Sequence, residues 1–440
     1  MYCFHRFARR TILLSLAAAL TAAAATGAIA RDWPLAHATS GNNAVLDIPA
    51  QIADPAGASA WTSPDLQFFD RAPAVISAPY VYLAGRPTGG PADGVALHAL
   101  HAETGQPVWE TAPLDTPPFD SYTAAAVVRE ESAVYYASGA TVYRFDALTG
   151  AQVWATTLGP DNTAPDVAGV SIINSSPAPG GDLLFIETYG GFTPEIKQLV
   201  ALDRTTGEVV WWVNDHGNGT GTPIYVEAAP ARVYSVGPDQ LRCYDAATGA
   251  RLWSSDEDVP TTWSLAPWTI FASPTLADGR VYVVGADPSY MATTTTLVCA
   301  DAETGALLWR AEAPATDCPP LVLNGRVYVY GGTAPTLLAA YDAATGTPVF
   351  NVVVAPLSYV FRDYMAATRD AIYLTADSSL VTIDPADGSV LGSRSGNFGG
   401  PVSLDGLGGV YAHESTWGGP SVLWGLGQTV PVALDGFIIE

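Results

Sequence analysis

Five histidines lie beyond residue 30, namely His37, His98, His101, His216 and His413, and no two have a spacing that would let imidazoles share a metal. His216, in Asp215-His216-Gly217-Asn218, has a loop context in which an imidazole can serve as acid, base or metal ligand, although the same context fits a plain surface residue. Three cysteines, Cys243, Cys299 and Cys318, are far apart in the chain, and an odd count argues against a disulfide framework. Buried inert thiols, or one bridge with a free thiol, are the two readings left open. Asp256-Glu257-Asp258 has the chemistry to hold calcium but reads as a solvated acidic loop. There is no G-x-S-x-G elbow and no phosphate loop. With nucleophile, phosphate and metal signatures missing, the remaining candidates are aromatics suited to binding: Tyr189, Phe192, Trp263, Trp268, Tyr290 and Trp417.

These residues are positioned by a repeat. One unit recurs as HAETGQPVW (101–109), DALTGAQVW (146–154), DRTTGEVVW (203–211), DAATGARLW (245–253), DAETGALLW (301–309), DAATGTPVF (342–350) and DPADGSVLG (384–392). The turn glycines are spaced by 45, 57, 42, 56, 41 and 42 residues. A period near 42 with two insertions predicts propeller blades of four short strands. In each unit the Asp and Thr can bond turn backbone, and the Gly accepts a positive φ. Trp109, Trp154, Trp211, Trp253 and Trp309 recur at one register, which predicts structural residues buried between neighbouring blades.

A second signature counts the blades. Val81-Tyr82, Val134-Tyr135, Leu184-Phe185, Val233-Tyr234, Val281-Tyr282, Val327-Tyr328, Ile372-Tyr373 and Val410-Tyr411 make eight aliphatic–aromatic pairs against seven turn motifs. The expected fold is an all-β, eight-bladed propeller of four-stranded antiparallel blades, with seven blades as the alternative. The expected division is a signal peptide at 1–30, an N-terminal extension and ring-closing segment at 31–71, the propeller at 72–427 and a tail at 428–440. Either 31–71 or the tail is expected to close the ring.

Residues 1–30 carry Arg6, Arg9 and Arg10, an apolar stretch Ile12–Ala25, and Ala28-Ile29-Ala30 as a small-x-small cleavage site. This predicts export to the periplasm or the medium with Arg31 as first mature residue, without stable membrane insertion. The Arg9-Arg10 pair also suits the twin-arginine route. Cleavage would leave 16 basic and 43 acidic groups, a net of −27, with Lys197 the only lysine. Such a field repels nucleic acid and anionic lipid.

The phrase A-x-D-x-x-T-G-x-x-x-W, closest at Ala201–Trp211, resembles the repeat of pyrroloquinoline-quinone (PQQ) alcohol dehydrogenases and of the propeller subunit of the outer-membrane protein assembly machine. Asp32-Trp33-Pro34 is similar to the Trp-Pro opening common in this family. The resemblance covers about 72–427. It implies the propeller fold and either partner binding or quinone-dependent oxidation. The dehydrogenases stack PQQ on a disulfide between adjacent cysteines and coordinate calcium. This chain has no adjacent cysteine pair and no lipobox cysteine after its apolar stretch.

Blade connectivity puts the D-x-x-T-G turns and the first hairpin turns on one face, and the second-to-third-strand loops and inter-blade links on the other. The excess length at 85–96, 187–198, 254–271 and 285–296 falls on the second face. Long loops carry function more often than minimal turns. The expectation is a non-catalytic binding or scaffold propeller, with no cofactor or metal. It would recognise a protein or small ligand through Tyr189, Phe192, His216, Trp263, Trp268, Tyr290 and Trp417. A PQQ-dependent oxidoreductase, an assembly-factor subunit and a glycan- or polyester-acting enzyme are the alternatives.

Overall fold

The computed structural model describes residues 32–33, 35, 38–39, 41–65, 72–88, 94–114, 125–128, 131–158, 172–173, 175–189, 197–215, 222–236, 241–255, 273–284, 294–316, 318–332, 335–356, 365–415 and 421–427. The regular structure among them is all β. Eight antiparallel blades of four strands form a ring, with extra short strands added to two blades. The fifth blade shows the plan: Thr275–Ala277 lines the axis, and Arg280–Val284, Thr294–Asp301 and Leu307–Pro314 follow outward.

The repeat Asp makes each turn. Asp342 Oδ1 accepts the Ala344 and Thr345 amides at 3.1 and 2.8 Å and the Thr345 hydroxyl at 2.8 Å. The Gly346 amide closes the turn on the Asp342 carbonyl at 2.8 Å. Asp146, Asp245 and Asp301 make the same set. Gly346 has φ +72° and a Cβ there would meet the Trp309 ring at 2.5 Å, so only glycine fits.

That contact joins the blades. The rings of Trp109, Trp154, Trp211, Trp253 and Trp309 lie over Gly150, Gly207, Gly249, Gly305 and Gly346 of the following blade. The indole NH of Trp109, Trp154, Trp211 and Trp309 donates at 3.0–3.1 Å to the carbonyl just after that blade's repeat Asp. The marker tyrosines of the first and fifth blades, Tyr82 and Tyr282, donate to the same carbonyls, Ala147 O and Ala343 O. Marker and Trp rings pair at 5.7–6.0 Å, as in Tyr82–Trp109 and Tyr135–Trp154.

The eighth member of this set is Trp61. Its ring covers Gly105 and lies edge-on to the eighth marker, Tyr411, at 6.0 Å. The eighth blade takes Phe398–Leu404, Val410–Ser415 and Ser421–Leu426 from the end of the chain and Ala60–Thr62 from its beginning. Trp61 pairs with Gly425 across that joint. The repeat register ends before the eighth Trp, and the N-terminal segment supplies it.

The seventh repeat has Gly392 where the others carry an aromatic. A Cβ there would meet Asp54 Cα at 2.7 Å. The N-terminal segment passes through this gap, with the Tyr373 hydroxyl donating to Ile52 O at 3.0 Å and Arg394 to Pro55 O at 3.2 Å. The missing seventh aromatic and the missing eighth turn therefore fall at one seam, where the ring-closing segment crosses.

The same segment fills the axis. Asp32–Trp33 pairs with Ile76 and Ser77 of the first blade. Leu276 N donates to Gly41 O at 2.7 Å, Asn42 Nδ2 to Thr222 O at 2.8 Å, and Ala367 N to Ala44 O at 2.8 Å. Asn43 holds both the amide and carbonyl of Val322, at 2.9 and 3.0 Å. Residues 45–48 then descend beside the seventh blade toward its first hairpin turn, where Arg369 N meets Ile48 O. Innermost strands of four consecutive blades thus bond to one short segment.

The outer strands carry a bulge one residue before the repeat's aromatic position; Cys299 faces Trp309 while Ala300 faces Leu307, and Leu308 lies between them as the bulge residue. The exposed aliphatics Val153, Leu252, Leu308 and Leu391 are such bulge residues. A bulge twists the edge and blunts edge-to-edge pairing, so this belt is explained by the repeat.

Cys243, Cys299 and Cys318 are all buried and no disulfide joins any two of them, which favours the reading as inert thiols. Burial pushes the Cys243 thiol up to about 12 and the Cys299 thiol up to about 11. Thiolate is the reactive form. A disulfide-exchange reagent at pH 8 is therefore expected to leave both unlabelled in the native protein and to label them within seconds in denaturant. Fast native labelling would show that these strands open.

Candidate binding face

The strands carry their variation at the end that leads into the long-loop face. Counting from the marker aromatic, the next residue faces the preceding blade and the one after faces the following blade, by strand alternation. Elsewhere in the ring those positions are apolar or carry a hydroxyl. Tyr330 donates to Thr375 O at 2.7 Å and Thr375 to Gly400 O at 2.8 Å.

Two seams differ. Among the described residues, the buried histidine, carboxylate and guanidinium side chains are His98, Glu187, Arg242, Asp405 and His413, and all but Asp405 sit at this end of the strands. Between the third and fourth blades, Glu187 is 2% exposed and accepts the Ser235 hydroxyl at Oε1, 2.6 Å away. Ser175 clamps the Glu187 backbone, accepting its amide at 2.8 Å and donating to its carbonyl at 3.2 Å. Arg242 lies opposite Ser235 on the adjacent strand, so it shares this seam. A carboxylate and a guanidinium placed in a β core are costly unless hydrogen-bonded or paired, and Glu187 is held through the Ser235 hydroxyl.

The second polar seam joins the last blade to the first. His98 is 2% exposed, and its Nε2 donates to Arg86 O at 3.0 Å. Its Nδ1 lies 3.6 Å from Glu110 Oε2. Glu110 also accepts the Thr88 amide at 3.1 Å and the Thr88 hydroxyl at 2.6 Å. Burial holds the His98 pKa below the ordinary imidazole value, against the opposing pull of Glu110 and the Arg86 carbonyl. His413, 1% exposed, follows Tyr411 by two residues, and Tyr411 points its hydroxyl at Ala102 of the first blade. His413 therefore faces the same seam.

The aromatics favoured by sequence are placed as follows. Tyr189 ends the strand Leu183–Tyr189, two residues past Glu187, with its backbone paired to Ile172. Phe192, His216, Trp263, Trp268, Tyr290 and Trp417 lie outside the described residues, as do 1–30, Asp256-Glu257-Asp258 and 428–440. Glu187, Arg242, His98 and Glu110 were missed. Glu187 had a legible signal, a carboxylate inside the apolar run LLFIET at the position two after the marker. Among the described residues no group of three His, Cys, Asp or Glu is placed to hold a metal, and no helix is long and apolar enough to cross a membrane.

Eight blades with D-x-x-T-G turns and interlocking Trp define a PQQ-type repeat propeller. The chain matches the family model described as outer membrane protein assembly factor BamB over 48–211, 195–295 and 239–400, and it belongs to that family. It is 25% identical over 210 residues to the dehydrogenase subunit of a quinone alcohol dehydrogenase from Komagataeibacter europaeus. That stretch is 43% of this chain and 27% of the dehydrogenase, so the chain spans about a quarter of that relative's length. In fold it is similar to BamB from Moraxella catarrhalis (TM-score 0.57, 16% identity, 83% of this chain and 98% of that one). It is also similar in fold to a quinohemoprotein alcohol dehydrogenase from Comamonas testosteroni (TM-score 0.64, 15% identity, 92% of this chain and 81% of that one).

Proposed function

We propose that this chain is an exported binding propeller that presents its long-loop face to a protein partner, in the manner its family's description as an assembly factor implies. The observation that carries this reading is the contrast between the faces. The turn face repeats one Asp–Thr–Gly design around the ring, whereas the strand ends under the other face hold Glu187 with Arg242 and His98 with Glu110. Chemistry that varies from blade to blade can specify a partner; a repeated turn cannot. The negative net charge of −24 favours a partner with basic or neutral polar groups, steered by the field and gripped by loop aromatics.

Replacing Trp263 and Trp268 together with alanine is the test. Partner capture from a periplasmic extract, quantified against the wild type, is expected to fall at least tenfold while the melting temperature holds within about 2 °C, since both residues lie outside the repeat register. Normal capture by a variant that melts early would make them packing residues and remove them from the site.

Quinone-dependent oxidation is the second reading, supported by the match to the dehydrogenase subunit. Incubation with PQQ and calcium, followed by absorbance and dye-linked alcohol oxidation, separates the two. Stoichiometric uptake with turnover would favour the oxidoreductase.

A further inference from the structure

The first blade's long loop leaves the strand Tyr80–Gly85 and returns into Ala96–His101. Three bonds fix its base, and all come from one pair of side chains. His98 holds the Arg86 carbonyl, and Glu110 holds the amide and hydroxyl of Thr88. With Nε2 facing a carbonyl, the neutral ring carries its proton there, so Nδ1 presents a lone pair toward Glu110 Oε2. The described ionisable groups facing His98 are Glu110 on the neighbouring strand Pro107–Glu110 and His413 across the seam.

We propose that His98 and Glu110 form a proton-operated latch that holds the base of this loop near neutral pH and releases it in mild acid. Protonation of Nδ1 gives Glu110 Oε2 a cationic partner that competes with the Thr88 hydroxyl. It also places a charge in a site that is nearly closed to water, so the acid form gains by moving to where the ring is hydrated. The sign follows from linkage. The latched state binds the His98 proton less well than a released state with an ordinary imidazole. The latch is therefore fully effective above the ordinary value of 6.5 and weakens as the pH falls below it. Control of partner binding by the latch rests on the binding reading above; the latch itself is measured without any partner.

Amide hydrogen exchange of the full chain at pH 7 and pH 5, corrected for intrinsic rates, reads it. Protection of the Thr88 amide and of 96–98 is expected to drop several-fold at pH 5, while the sixth blade's hairpin Arg326–Gly331 and Thr336–Asp342, which has no histidine, keeps its protection. In His98→Gln the amide can still donate to Arg86 O and cannot titrate, so the pH dependence should vanish. Should that variant misfold, Glu110→Gln removes a group that favours the His98 cation and should move the midpoint to lower pH. A flat wild-type profile, an unchanged loss in His98→Gln, or a midpoint that rises in Glu110→Gln would each overturn the latch.

Discussion

Replacing Trp309 with alanine is expected to destabilise the propeller by about 3–5 kcal/mol, in the range for removing a large buried aromatic. The side chain is 9% exposed, its indole NH donates to Ala343 O at 3.1 Å, and its ring pairs with Tyr282 at 5.9 Å. Its floor is Gly346, whose positive φ and close approach bar any side chain from refilling the space. The cavity therefore stays open, and the cost includes the lost contacts as well as the lost transfer energy. Leu308→Ala is the control. Leu308 is 46% exposed on the bulge, and its truncation should cost within about 0.5 kcal/mol. Urea unfolding followed by tryptophan emission and circular dichroism checks both. Equal midpoints for the two variants would show that Trp309 does not lock the fifth blade to the sixth.

Asn43→Ala is expected to cost about 2–4 kcal/mol, because it strips two bonds from a buried strand at once. Asn43 Oδ1 accepts the Val322 amide and Asn43 Nδ2 donates to the Val322 carbonyl, so the side chain does the work of one rung of a neighbouring strand. Val322 is 6% exposed, and its freed groups would each bear a desolvation cost of about 1–2 kcal/mol. Asn43→Asp keeps the acceptor but sets a carboxylate against the Val322 carbonyl, and should be at least as damaging. Thermal unfolding gives the magnitude. Limited proteolysis within 41–59, with the ring still folded, would show that the segment detaches alone. Wild-type stability in both variants would mean that the axial segment rests on the channel without bracing it.

The repeat was legible because propeller blades are local. The Asp–Thr–Gly turn closes within a few residues, and alternation sets which side chains face each neighbour. The eight marker aromatics therefore gave the blade count where the seven turns fell short. The docking tryptophans could be read as interblade residues for the same reason: one register, repeated, must meet one environment.

What tertiary structure alone decided was the closure and the site. Trp61 occupies the eighth docking position although it precedes the first repeat, because the last blade is assembled from both ends of the chain and no periodicity links them. Gly392 looks like a decayed repeat in sequence; it is instead the clearance through which residues 52–55 reach the outer edge. The pairing of Glu187 with Ser235, and of His98 with Glu110 and the Thr88 loop base, depends on which strands lie side by side across a seam or within a blade. The sequence determined the fold because period and turn chemistry are short-range. It could not determine the axial plug or the polar seams, because those bonds join residues 12 to 323 positions apart and exist only once the ring has closed.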